Sequence, residues 1–331
     1  MNKPSIGKIR GLQQISTAEG TLVICAMDHR GSLRSMIEHD QPERVKYSEM
    51  VEHKLELCAA LAPYASAVLL DPNYGAAQCI AKGVLPAHTG LLISIEATGY
   101  QSYPHGRLTT LLNNWSVEKI KRMGGSAVKL LVYYRPDVPE LAIKQLETIQ
   151  AIAGECHKHD LPFLVEPKSY PLKEENPNSP QFAARKPFLV VETARQITKL
   201  PIDVLKAEFP VDLTYEQDET KILEICHQLD EASQVPWVIL SAGVDYKMFQ
   251  KEVEVACRAG ASGFLGGRAI WQEAIQIEDK KERVEYLSTT VVDRLKELTK
   301  AAAKYAIPWY HKLGLKSHEL ATIPENWYKS Y

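Results

Sequence analysis

The sequence predicts an α/β protein built as a (β/α)8 TIM barrel with a C-terminal helical extension, and three observations carry that expectation. Eight short apolar segments alternate with longer stretches of helical periodicity, the pattern of parallel strands returned by crossover helices. A length of 331 residues suits such a barrel. Polar residues gather at the C-terminal ends of the apolar segments, where a barrel places its chemistry.

Strands are expected over 21–27, 66–70, 90–95, 127–132, 162–165, 203–207, 237–241 and 262–265. Eight strands favour a closed barrel over an open sheet. Helical periodicity over 43–61, 140–159, 187–198, 216–229 and 246–258 supplies crossovers. Asp28, His29 and Arg30 follow the first strand, Asp71 and Asn73 the second, and Glu96 the third. Lys129 lies in the fourth, while Glu166 and Lys168 close the fifth and Lys206 and Glu208 the sixth. Ser241 and Gly243 end the seventh, and Gly266, Gly267 and Arg268 the eighth. Each is weak alone, because chains become polar at strand ends, but together they mark one face.

Two segments depart from the minimal pattern. Residues 168–187 are too long and Pro-rich for an ordinary strand-to-helix loop, so an irregular excursion over the barrel mouth is expected, either a lid or a plain solvated loop. Residues 282–304 have helical spacing, and the tail carries Trp309, Trp327 and Tyr328, aromatics suited to packing on the barrel or on a second subunit. With no internal repeat or second unit visible, residues 1–331 are expected to form one barrel domain with 306–331 as its tail, assembling as a homo-oligomer.

A formal net charge of −2 argues against nucleic acid as a partner, since phosphate neutralisation needs a basic patch. A hydrophobic share of 45% with 24% charged residues gives no sign of disorder, and small-molecule partners are expected. The six cysteines are scattered without a CxxC pair and read as reduced, mostly buried thiols. The N-terminus lacks a signal-peptide apolar region, and no apolar run approaches about 18 residues. A cytoplasmic protein without membrane association is expected.

Lys206 is the residue that most needs a chemical reason, because a buried parallel strand is usually an unbroken run of Val, Ile and Leu. A desolvated lysine has its pKa pushed down, and neutral amine attacks carbonyls. The plainer alternative is a lysine at the strand's end that reaches solvent or pairs with Glu208. Lys129 is a second ammonium in an apolar pattern; it would repel a proton from Lys206, or simply send its head to the rim. Glu166 could hydrogen-bond a substrate hydroxyl, transfer protons or pair with the lysines. Asp28 could orient Lys206, bind a hydroxyl or cap a helix. The segments at Ser241, Gly243, Gly266 and Gly267 fall where many barrels hold phosphate on backbone amides, with Arg268 able to add a bidentate contact. No HExxH occurs among the ten histidines, and only His29 stands on the expected catalytic face, so no metal and no cofactor are expected.

The segments 26–31 (AMDHRG), 129–134 (KLLVYY), 165–167 (VEP), 203–210 (DVLKAEFP) and 240–244 (LSAGV) resemble the class I tagatose 1,6-bisphosphate aldolase family. That resemblance implies a metal-independent barrel enzyme cleaving a sugar phosphate, tagatose 1,6-bisphosphate, to dihydroxyacetone phosphate and glyceraldehyde 3-phosphate. It implies Lys206 as the Schiff-base lysine, Glu166 as acid/base at the C4 hydroxyl, and Lys129 and Asp28 as supporting groups. His29 and Arg30 would touch substrate, and Ser241, Gly243, Gly266, Gly267 and Arg268 would hold the C1 phosphate. The family's Asp-Gln-Arg-Gly segment has His29 in place of glutamine here. A related branch acts on 6-deoxy-6-sulfofructose 1-phosphate and releases sulfolactaldehyde. A regulatory protein that keeps the barrel only to bind sugar phosphate is a third reading, opposed by the intact Lys206, Lys129 and Glu166.

Overall fold

The computed structural model describes residues 4–329 and 331. Eight parallel strands close on themselves: β1 (Leu22–Met27), β2 (Ala67–Leu70), β3 (Gly90–Ser94), β4 (Ala127–Tyr133), β5 (Phe163–Lys168), β6 (Val204–Ala207), β7 (Trp237–Leu240) and β8 (Gly263–Gly266). Strand β1 pairs with both β2 and β8, so the barrel has no free edge. All eight expected strands are present; β4 and β5 run further toward the mouth than the sequence pattern suggests.

Alternation along each strand sets the layers. Leu22, Ile24 and Ala26 of β1, Leu164 of β5, Val204 of β6 and Leu265 of β8 fill the barrel interior, whereas Val23, Cys25 and Met27 pack outward against the helices. The helix Ile6–Ile15 lays Ile9, Leu12 and Ile15 across the floor, where Trp309 and Leu315 of the tail join them. One inward step above this apolar plug come Asp28 on the β1 side, Lys129, Glu166, Lys206 and Gly267, all on the cavity wall. The same periodicity that buries the core therefore aims the charged groups.

The segment 168–187 is less irregular than its length and prolines predict. A helix spans Pro180–Ile197, so only 169–179 are irregular. Ser179 caps it by accepting from the Phe182 amide, and Pro180 stands at the first turn, where its missing N–H costs nothing. Pro187, read from sequence as the helix start, lies inside, tolerated because the outer helix is held by packing of Leu189, Val190 and Ala194. The irregular stretch is tied down: Arg135 donates to the Tyr170 carbonyl at 2.7 Å and to Glu175 Oε2 at 2.5 Å, and Arg185 pairs with the same carboxylate.

A two-stranded hairpin, Gln101–Tyr103 with Gly106–Leu108, follows β3 and was not legible in the sequence. The expected helix over 282–304 is Lys280–Tyr286, a π turn at Leu287–Val291 and Val292–Tyr305. Trp309 is buried, whereas Tyr328 is exposed. All six cysteines are buried free thiols. No helix among the described residues is long and apolar enough to cross a membrane.

Candidate active site

The mouth of the barrel holds a cavity of about 290 Å³. Its wall brings together Asp28, His29, Arg30, Lys129, Glu166, Lys206, Ser241, Gly267 and Arg268, nine of the residues singled out from sequence.

Lys206 is 4% exposed and faces Glu166, with Nζ 2.8 Å from Oε2. It neither reaches solvent nor pairs with Glu208, whose Oε2 instead accepts from the Ser169 amide at 2.8 Å. Lys129 is also buried, so its head does not reach the rim. Its ammonium contacts Glu96 Oε1 at 2.6 Å, Asp28 Oδ2 at 2.7 Å and Glu166 Oε2 at 3.0 Å. Burial works to discharge Lys129, but Asp28, Glu166 and Glu96 overrule it and hold its pKa well above the usual lysine value. Lys129 is a fixed cation at neutral pH.

The carboxylates answer in kind. Burial opposes the Glu166 charge, yet the ammoniums of Lys129 and then Lys206 hold its pKa below the ordinary value. The Asp28 carboxyl is likewise held far below its usual range by Lys129, with smaller help from His29 and Lys206, against the opposing effect of burial. Asp28 caps no helix side chain to amide; Arg30 occupies the N-cap position of the following helix, Gly31–Ile37.

His29 is pushed by burial down to about 3, so its imidazole is neutral at physiological pH. Its ring stands edge-on to Trp271 at 5.2 Å, and Trp271 Nε1 donates to the Ala26 carbonyl at 3.0 Å. A Cβ on Gly267 would lie 2.7 Å from His29 Cε1, so glycine is what lets the imidazole occupy this place. His29 Nδ1 is buried without a hydrogen-bond partner among the described residues.

Arg30 lines the wall but braces it: Nη2 donates to the Glu96 carbonyl at 2.9 Å and Nη1 to Asn73 Oδ1 at 3.4 Å. After β7, Ala242 and Gly243 both take positive φ, 46° and 87°, in a tight turn closed by the Val244 amide on the Ser241 carbonyl at 3.0 Å. Left-handed backbone at an alanine stores strain of the kind found at binding turns. Arg268 Nη2 donates to the Ala242 carbonyl at 3.3 Å, while its Nε is buried and has no hydrogen-bond partner among the described residues. Gly267 N donates to Ser241 Oγ at 3.3 Å. Gly243 is off the cavity wall and backs onto the Arg268 guanidinium. Gly266 is off it too, with the position of its absent side chain facing Phe249 and Ile270 in the helical layer. Gly266 therefore serves packing between strand and helices.

Three contributors were not assigned a role from sequence. Glu96, one inward step past Ser94, accepts from Lys129 and from the Leu131 amide at 3.2 Å. Tyr133, two inward steps past Lys129, lines the cavity. Lys54 is wholly buried, with Nζ 2.6 Å from the His29 carbonyl, hydrogen-bonded to the Met27 carbonyl and 2.8 Å from Asp71 Oδ2. The signal for Lys54 was present: Met50, His53, Lys54, Leu57, Cys58 and Leu61 form the buried stripe of the helix Tyr47–Leu61, with a cation inside it.

Comparison with known proteins gives a consistent picture. Residues 22–273 match the model of the DeoC/LacD family of aldolases. The chain is similar to the tagatose 1,6-diphosphate aldolase of Listeria monocytogenes serotype 4a, at 35% identity over 93% of this chain and 95% of the relative. It is also similar to tagatose 1,6-diphosphate aldolase 2 of Streptococcus mutans, at 32% identity over 93% and 98%. Among solved structures, a fructose-bisphosphate aldolase from Plasmodium falciparum shares the fold at TM-score 0.71 and 13% identity, over 92% of this chain and 98% of that one. A Schiff-base-forming fructose-1,6-bisphosphate aldolase shares it at TM-score 0.55 and 21% identity, over 85% and 96%.

Proposed function

The chain belongs to the DeoC/LacD family of aldolases, and on that premise we propose that it cleaves tagatose 1,6-bisphosphate through an imine on Lys206. One observation carries the reading: Glu166 Oε2 touches both Lys206 Nζ, at 2.8 Å, and Lys129 Nζ, at 3.0 Å, on the wall of the cavity at the barrel mouth. A nucleophile, its proton acceptor and a fixed cation thus meet at one oxygen.

Lys206 Nζ, once it has given up a proton, attacks the C2 carbonyl; loss of water from the carbinolamine leaves a protonated imine. Glu166 takes the proton of the C4 hydroxyl, the C3–C4 bond breaks, and its electron pair moves into the imine to give an enamine and glyceraldehyde 3-phosphate. Protonation at C3 and hydrolysis release dihydroxyacetone phosphate and the free lysine. Lys129 keeps Glu166 ionised and ready to accept, and Asp28 with Glu96 keeps Lys129 charged. The strained turn at Ala242 and Gly243 and the Arg268 Nε, which has no hydrogen-bond partner among the described residues, supply donors for the C1 phosphate. Neutral His29 offers one ring nitrogen as donor and one as acceptor for a substrate hydroxyl.

Borohydride reduction in the presence of dihydroxyacetone phosphate, followed by peptide mass spectrometry, tests the mechanism. An adduct on Lys206, absent in Lys206→Met, is expected; an adduct elsewhere or none at all overturns the reading. Parallel cleavage assays with tagatose 1,6-bisphosphate and 6-deoxy-6-sulfofructose 1-phosphate decide between phosphate and sulfonate at C6, and binding of both without turnover would identify a regulatory barrel instead.

A further inference from the structure

Lys168 is a cation on the cavity wall without a counter-ion. It ends β5 and stands one inward step beyond Glu166, nearer the mouth. Lys129 and Lys206 are held by carboxylates, and Arg30 is engaged by Glu96 and Asn73. Among the described residues the Lys168 ammonium has no hydrogen bond and no ion pair. Keeping a long side chain's charge over a cavity without a partner has no packing benefit that a neutral residue would lack.

Its surroundings add to the positive field. Tyr133, registered opposite Lys168 on β4, is also on the wall. The Tyr133 ring meets Tyr100 at 4.8 Å, and the Arg107 guanidinium sits 4.5 Å from the Tyr100 centroid, 5.2 Å from Tyr170 and 5.8 Å from Tyr133. Arg107 likewise has no carboxylate partner among the described residues. Glu208, the acidic group of this part of the wall, turns one oxygen to the Ser169 amide. Lys168 on the wall and Arg107 behind the Tyr133 ring, neither with a carboxylate partner among the described residues, make this side of the cavity attractive to an anion.

The direction of a bound ketose follows from the reaction. With C1 phosphate at the β7–β8 turn, C2 on Lys206 and the C4 hydroxyl at Glu166, the chain from C5 to C6 continues past Glu166, and the next inward residue of that strand is Lys168. We propose that Lys168, with the Tyr133 hydroxyl, forms a second anion subsite for the tetrahedral oxyanion, phosphate or sulfonate, at C6 of the substrate. This rests on the aldolase reading above and specifies the end of the substrate that the imine chemistry leaves open.

The test is the ratio of kcat/KM for tagatose 1,6-bisphosphate to that for tagatose 1-phosphate, in the wild type, Lys168→Met and Lys168→Arg. In Lys168→Met the ratio falls about 10- to 100-fold, the worth of a charge-assisted hydrogen bond, and Lys168→Arg restores most of it. A 6-deoxy-6-sulfofructose 1-phosphate arm, compared with the same 1-phosphate ketose lacking the sulfonate, identifies which oxyanion the subsite takes. A ratio unchanged in Lys168→Met for both anions overturns the subsite. Borohydride trapping on the same samples separates the two ideas: trapping at Lys206 with an unchanged ratio defeats the subsite alone, whereas no trapping in the wild type defeats the aldolase reading on which it rests.

Discussion

Lys129 and Lys206 share one oxygen atom: Glu166 Oε2 lies 3.0 Å from the first ammonium and 2.8 Å from the second. Three carboxylates, Asp28, Glu96 and Glu166, surround Lys129 and hold it charged. Its charge serves Glu166, whose pKa sits below the ordinary value. The acid limb of kcat/KM due to Glu166 is therefore expected below the usual glutamate pKa of about 4.3. Removing a cation raises a carboxyl pKa, so Lys129→Met moves that limb to higher pH. A pH profile with the limb unmoved would show that Lys129 does not tune the base. Glu166→Gln, which keeps the shape and loses the base, is expected to lower kcat about 10²- to 10⁴-fold.

How much of this was legible in sequence depends on the kind of signal. Lys206, Lys129 and Glu166 announce themselves because each places a charge inside an apolar strand run, and the strand's two-residue period aims all three at the same cavity. Glu96 carries the same period but sits just past the end of β3, where a polar residue is unremarkable. Lys54 acts through backbone carbonyls of a distant turn, a contact that no local pattern encodes. The hairpin at 101–108 has strands of three residues, too short to show alternation, and the helix from Pro180 was hidden by a proline that conventionally marks a start. Gly266 and Gly267 are adjacent in sequence yet face opposite layers, which a glycine pair with no side chains does not reveal.

Gly243 supports the proposed C1-phosphate turn through its lack of a side chain. A Cβ there would lie 2.9 Å from Arg268 Cζ and Nη2, at a φ of 87° that an L-residue rarely adopts. Gly243→Ala is expected to displace the guanidinium and to raise KM for the substrate about tenfold or more, with a matching loss of affinity for dihydroxyacetone phosphate. Arg268→Lys, which keeps the charge but loses the planar fork, should weaken binding in the same direction. Unchanged dihydroxyacetone phosphate affinity in both variants would remove this turn from the site.

Lys54 fixes the turn that presents Asp28 and His29 by bonding the carbonyls of Met27 and His29, and it is charge-balanced by Asp71. Lys54→Met strands a buried carboxylate and is expected to cost about 3–5 kcal/mol of stability. Adding Asp71→Asn removes the stranded charge, so the double variant should regain part of that stability. Its kcat, however, should stay depressed, because the carbonyls still lack their donor and Asp28 is no longer held. Recovery of kcat together with stability in the double variant would reduce Lys54 to a structural ion pair.

His29 makes a prediction of opposite character, on stability against pH. Its folded pKa of about 3 lies below the unfolded value of about 6.5. Above pH 6.5 the ring is neutral in both states and contributes no pH dependence. As pH falls below 6.5 the unfolded chain takes up a proton that the native state refuses, so stability is lost at up to about 1.4 kcal/mol per pH unit until the folded pKa is reached. His29→Gln removes that loss. Thermal or urea unfolding at pH 7.5 and pH 5 should therefore show the variant gaining on the wild type by at most about 2 kcal/mol between the two conditions. A constant difference between the proteins at both pH values would mean that the imidazole is not held neutral by burial. The same substitution restores an amide to the position beside Asp28, and because neutral imidazole and amide both combine a donor with an acceptor, kcat at pH 7.5 should stay within about tenfold of the wild type.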